Sequence, residues 1–151
     1  MDSVFNENNI ILNGSFLNKN EAIVAVGKIL VKQGYVTEKY IDAMLAREKI
    51  VSVYIGNNVA IPHGINGSQS EIVNSGISLI QVPAGVSFGE NETAYIVIGI
   101  AGKGDEHMEY LQKIALVCSE IENVMKIKNA TTKQEILEIF EEWYKLIFDL
   151  E

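Results

Sequence analysis

The segment Tyr95-Ile96-Val97-Ile98-Gly99-Ile100-Ala101-Gly102-Lys103-Gly104-Asp105-Glu106-His107 holds the change of period on which the fold turns. Its first seven residues are an almost unbroken apolar run, as expected of a central strand buried on both faces. Gly102-Lys103-Gly104 breaks the run, and Asp105 stands where a carboxylate can cap a helix. His107, Leu111, Ile114 and Cys118 then recur four, three and four residues apart, which predicts a helix to about Ser119. A buried strand, a glycine turn and an amphipathic helix in succession belong to the α/β class.

Outward from this unit, further strands are predicted. Ile77 to Val82 reads as a strand ending at a turn around Pro83-Ala84-Gly85. Val59 to Ile61 is short and runs into Pro62. Val51 to Ile55 is rich in β-branched and aromatic residues, and Ile10 to Leu12 fits an edge strand. Helices alternate with them. Asn18 with Glu21 forms a capping-box pattern before Ile23, Val26 and Leu30, and Gly34 can stop that helix. A second helix is predicted from about Thr37 to Glu48, with Tyr40, Ile41, Met44 and Leu45 inward. Thr132 with Glu135 opens a last helix that turns Ile136, Ile139, Phe140 and Trp143 inward. The tail from Trp143 to Phe148 is apolar almost all round, so self-association through the C-terminal helix is one expectation.

The chain has 151 residues, 48% of them hydrophobic, with no internal repeat and no linker. One domain spanning 1–151 is expected. Net charge is −8 and the pI about 4.8. An acidic body argues against broad binding to nucleic acid or anionic lipid. A single cysteine, Cys118, excludes an internal disulfide and suits a reducing compartment. Met1-Asp2-Ser3 lacks the charge of a signal peptide, and the run Ile96 to Ala101 is far too short to span a bilayer. A cytoplasmic protein without direct membrane insertion is expected.

The rare residues carry the chemistry. There are two histidines, His63 and His107, and one arginine, Arg47, against eleven lysines. Pro62 stiffens the approach to His63, and Gly64 leaves room for a phosphoryl group or a partner to come close. A rigid, exposed imidazole there can act as a nucleophile; its bland role is to bond a neighbour. His107 shares an apolar stripe, which suits a core histidine. It also sits in the first turn of a helix, where N–H groups and the helix dipole attract anions. Arg47 near the end of the second helix suits the dipole, but an arginine is required only where a planar fork must hold phosphate or carboxylate. Other motifs fail. A Walker loop through Lys103 needs glycine in place of Val97 and Ser or Thr in place of Gly104, and a dinucleotide motif from Gly102 needs glycine in place of His107. No spacing fixes a metal site.

Three stretches, Ala46-Arg47-Glu48, Gly56 to Gly64, and Ile100 to His107, occur in an order that resembles the enzyme IIA component of the bacterial sugar phosphotransferase system, mannitol type. The similarity runs from about Phe5 to Phe140 through Ile80 to Val86. The resemblance implies a central mixed sheet of about five strands flanked by helices on both sides. It implies that His63 is the phosphorylated residue, as a tele-phosphohistidine, although the residues themselves leave the ring nitrogen open. It implies that His107 and Arg47 stabilise the phosphoryl group. The implied donor is the histidine-containing phosphocarrier protein, the acceptor a cysteine of enzyme IIB or IICB, and no cofactor is implied. Three alternatives remain at this point: a fructose-type IIA, a regulatory module of the same fold that uses His63 as a signal, and a small-molecule or metal-binding domain. The acidic body predicts salt-sensitive encounters with a basic donor face, around a small apolar docking surface beside His63.

Overall fold

The apolar run at 95–101 lies in the middle of a sheet, where both faces of a strand are covered. The computed structural model describes residues 3–148, with side-chain surroundings as far as Trp143. In chain order the elements are β1 (Ile10–Ile11), α1 (Lys19–Lys32), α2 (Lys39–Ile50), β2 (Tyr54–Gly56), β3 (Val59–Ala60), β4 (Gly76–Gly89), β5 (Glu92–Ala101), α3 (Glu106–Cys118), α4 (Ile121–Lys128) and α5 (Lys133–Phe148). The strands form one mixed sheet in the order β1-β4-β5-β3-β2. β4 and β5 are an antiparallel pair, while β1 runs parallel to β4 and β3 parallel to β5. β2 closes the far edge antiparallel to β3.

Helices cover both faces, as expected. Val97 and Ala101 of β5 face one core, with Ile23, Val26 and Leu30 of α1 and Tyr40 and Met44 of α2. Ile96, Ile98 and Ile100 face the other, with Ile114 of α3, Val124 and Ile127 of α4, and Ile136 and Phe140 of α5. The two-residue period of a strand accounts for this division. Gly99 lets α1 sit close to the sheet: a Cβ there would lie 2.5 Å from Ser78 Oγ and 3.1 Å from Val26 Cβ.

The predicted helix signals work as local chemistry. The Asn18 side chain accepts from the Glu21 amide at 3.0 Å, and Thr132 Oγ1 does the same for Glu135 at 3.2 Å. Gly34 takes φ +81°, and Tyr35 N bonds back to Leu30 O at 2.9 Å, so α1 ends in a left-handed turn. Asp105 is an exception. It has helical backbone and its side chain makes no cap hydrogen bond.

Several boundaries differ from expectation. The strand predicted to stop at Pro83 continues to Gly89. Ladder pairing lapses between Gln81 and Val86, so the missing proline N–H falls in an irregular stretch, and Gly85 absorbs it with φ +83°. The strand predicted over Val51 to Ile55 begins only at Tyr54, because the Val53 amide is taken by Glu48 Oε1 at 2.8 Å. α4 carries no strong sequence signal: it has two turns, too few for a period to show, and buries only Asn123, Val124 and Ile127. The side chains after Trp143, on which the expected self-association rests, lie outside the described surroundings. No helix among the described residues is long and apolar enough to cross a membrane.

Gln81 ties the layers together. Buried in β4, it donates to the carbonyls of Ile127 and Ala130 at 2.8 and 2.9 Å and accepts from Asn13 N at 3.1 Å. Gln81→Leu keeps the volume but orphans these backbone groups, a loss of about 3 kcal/mol. Urea unfolding should show that loss.

Candidate active site

Parallel neighbours in a sheet present their carboxyl ends on the same side, where ligand sites of open α/β sheets form. β3 pairs with β5 through Val59 to Ile96 and Ala60 to Val97. Pro62 interrupts the ladder, yet the register resumes as a bridge between His63 and Ile100. The Ile100 amide donates to Pro62 O at 2.9 Å. His63 therefore sits level with the end of β5. The chain leaving β5 turns at 102–105 and brings back His107 in the first turn of α3. The two rings lie 5.1 Å apart between centroids, tilted by 59°.

The His63 ring is oriented by its own strand. Nδ1 is 2.8 Å from the Ile61 carbonyl. A carbonyl only accepts, so Nδ1 carries the hydrogen and Nε2 keeps its lone pair. Both rings are partly buried. Burial pushes the His63 imidazole below its ordinary 6.5; the Ile61 hydrogen bond opposes this, and His107, when protonated, and the Arg47 charge add to it. Burial also lowers His107. Both rings are therefore neutral near pH 7.

Arg47 occupies the last turn of α2, half-buried, and one guanidinium nitrogen donates to Val51 O at 2.6 Å. Its charge reaches His63 across the site. The structure thus sets His63 and His107 ring to ring, with Arg47 near enough for its charge to act on His63. Glu48, one residue on, is buried and bonds Lys19 at 3.1 Å and the Val53 amide. It anchors the end of α2 rather than facing the rings.

Residues that the sequence did not single out build the walls. The Tyr40 hydroxyl donates to Ile100 O at 2.8 Å and accepts from Gly64 N at 2.9 Å. Gly64 is required for a different reason than expected. A Cβ there would lie 2.5 Å from the Tyr40 ring and 2.4 Å from Ser68 Oγ, so the space is already filled. Gln69 clasps the other loop, donating to Gly102 O at 3.0 Å and accepting from Gly104 N at 3.1 Å. Ser75 accepts from Lys103 N at 2.9 Å and donates to Glu106 at 2.8 Å. Gly102 has no room for a side chain, since a Cβ would lie 2.3 Å from His107 Cα. The amides of Lys103, Gly104, Glu106 and His107 are all engaged, the last two with Lys103 O and Gly104 O. The start of α3 therefore offers its dipole more than a row of free donors. The only advance signal for Tyr40 was a phenol on an apolar stripe, whose buried O–H needs a partner; Gln69 and Ser75 gave none.

Two imidazoles stand side by side at the carboxyl ends of parallel strands in an α/β sheet, within electrostatic reach of a guanidinium. The family model for the phosphoenolpyruvate-dependent sugar phosphotransferase system, EIIA 2, matches residues 3–143, and the chain belongs to that family. The mannitol-specific phosphotransferase enzyme IIA component of Geobacillus stearothermophilus is 49% identical over 139 residues, covering 92% of this chain and 96% of that protein. The structure of a complex of enzyme IIAMTL and phosphorylated enzyme IIBMTL from Escherichia coli matches with a TM-score of 0.88 and 33% identity, covering 91% of this chain and 97% of that one. The crystal structure of IIA mannitol from Escherichia coli matches with a TM-score of 0.85 and 34% identity, over 90% and 98% of the two chains.

The lowered histidine pKa values have a consequence for folding. Between the ordinary value and the folded value, the unfolded chain binds more protons, so stability falls as pH drops through that window. Ring titrations followed by proton NMR should give midpoints below 6.5 for His63 and His107. The unfolding free energy should decline over the same range. A midpoint above 6.5 for either ring would contradict its burial.

Proposed function

We propose that this protein, acting as one enzyme IIA domain over residues 1–151, carries phosphoryl groups in mannitol uptake. His63 Nε2 takes the group from the phosphohistidine of the histidine-containing phosphocarrier protein and yields it to a cysteine of enzyme IIB or IICB, in the cytoplasm. The observation that carries this reading is the Nδ1 hydrogen bond to Ile61 O, which leaves Nε2 as the nucleophile. The mannitol specificity of the relatives supports the sugar, and a solved complex of a similar IIA with its IIB supports the acceptor.

The transfer is an in-line displacement. The Nε2 lone pair forms a bond to phosphorus as the donor's N–P bond breaks, and that bonding pair stays on the donor imidazole. Charge spread over the phosphoryl oxygens in a loose transition state is met by Arg47 and by an N–H of His107. A neutral His107 stabilises without trapping. This matters for a carrier, which must release what it has bound. Onward transfer reverses these steps with a thiolate as the attacking group. The expected apolar docking surface has candidates in Ile50 and Val51 beside Arg47 and Met108 beside His107, at 67%, 60% and 57% exposure. Transfer onward to a IIB cysteine distinguishes this function from a regulatory module. Among the described residues, no group of three or more His, Cys, Asp or Glu side chains is arranged to hold a metal.

Incubation with labelled phosphoenolpyruvate, enzyme I and the phosphocarrier should label the wild type and leave His63→Ala unlabelled. His107→Ala and Arg47→Lys should slow labelling about ten- to a hundredfold. Full labelling of His63→Ala would end the proposal.

A further inference from the structure

We propose that Tyr40 is the positioning residue of the transfer site, its hydroxyl locking the His63 loop to the helix that carries Arg47. This rests on His63 being the phosphoryl acceptor. One buried hydroxyl holds the backbone on two sides of that residue. It donates to the carbonyl of Ile100, the strand residue bridged to His63, and it accepts from the amide of Gly64, the residue after it. Burial raises the Tyr40 pKa to about 12, so the phenol keeps the proton that it donates. The Tyr40 ring lies where a Gly64 side chain would be, so the loop is seated directly on it.

Tyr40 does not act alone along α2. One turn on, Ala43 O accepts from Ile65 N at 3.1 Å. Arg47 follows one turn further, and residues three, four and seven apart share a helix face. α2 therefore grips the chain at Gly64 and at Ile65, and presents its guanidinium from the same face. The separation of Arg47 from Nε2 depends on how α2 sits against the loop. Phenylalanine would fill the same apolar volume, and only the hydroxyl supplies both bonds. A shift of about 1 Å in a reacting group is enough to cost a large factor in rate.

The test is steady-state phosphorylation of the full chain by phosphoenolpyruvate, enzyme I and the phosphocarrier, for wild type, Tyr40→Phe, Arg47→Lys and the double variant. Tyr40→Phe should lower kcat about tenfold and leave KM for the phosphocarrier unchanged, since the outer docking surface is untouched. The two substitutions should be non-additive, with Arg47→Lys costing less once the hydroxyl is gone. Wild-type kcat in Tyr40→Phe, or simple additivity, overturns the proposal; a lowered unfolding midpoint with unchanged kcat in the folded variant means that the hydroxyl only stabilises the fold. Hydrogen exchange on the wild type supplies a check that survives if Tyr40→Phe does not fold. The Gly64 amide should be protected, and rapid exchange there overturns the lock. His63→Ala run in parallel separates the two failures: label retained on it removes the acceptor itself, whereas label lost on it with an unimpaired Tyr40→Phe removes only the positioning role.

Discussion

The parallel pairing of β3 with β5 is the constraint on which the site depends. Two strands running the same way end on the same side of the sheet. The register that joins Val59 to Ile96 carries on past Pro62 to join His63 to Ile100. Only then do a loop residue at 63 and a helix residue at 107 come within 5.1 Å. Antiparallel pairing would send the two histidines to opposite ends of the sheet. The small residues around the site follow from the same closeness. Gly102 makes room for the backbone of α3, and Gly64 makes room for the Tyr40 ring.

The electrostatics suit a group that is to be passed on. Both imidazoles are held below their ordinary pKa by burial, which suits the proposed role of meeting an incoming phosphoryl group uncharged. The one guanidinium is half-exposed and also committed to Val51 O. A deep, fully charged pocket would bind the phosphorylated state too tightly to release it. The rings lie at the end of the sheet, and each keeps partial exposure. Exposed apolar side chains lie close by in the chain: Ile50 and Val51 three and four residues after Arg47, and Met108 next to His107.

Much of this was legible one element at a time. The caps at Asn18 and Thr132, the stop at Gly34 and the buried strand at 95–101 are local: a side chain bonding an amide three residues on, or a backbone needing a positive φ, is set by neighbours in sequence. His63, His107 and Arg47 stood out as rare residues beside proline, glycine and helix ends, and a family resemblance gave them roles. Pro83 misled, because a proline signals a turn only where a ladder bond is required, and here the pairing had already lapsed. Asp105 misled too: its own backbone is already helical, and the amides of Glu106 and His107 bond back to Lys103 O and Gly104 O, so its side chain caps nothing.

By itself the sequence determined the class, the alternation of strands and helices, and which three side chains to watch. It did so because period, capping and turn chemistry act over a few residues. Tertiary structure alone decided that β3 lies beside β5, and that Tyr40, Gln69 and Ser75 brace the two loops. Those contacts join residues far apart in the chain. No local pattern encodes them, because each partner's place is fixed only when both faces of the sheet are packed.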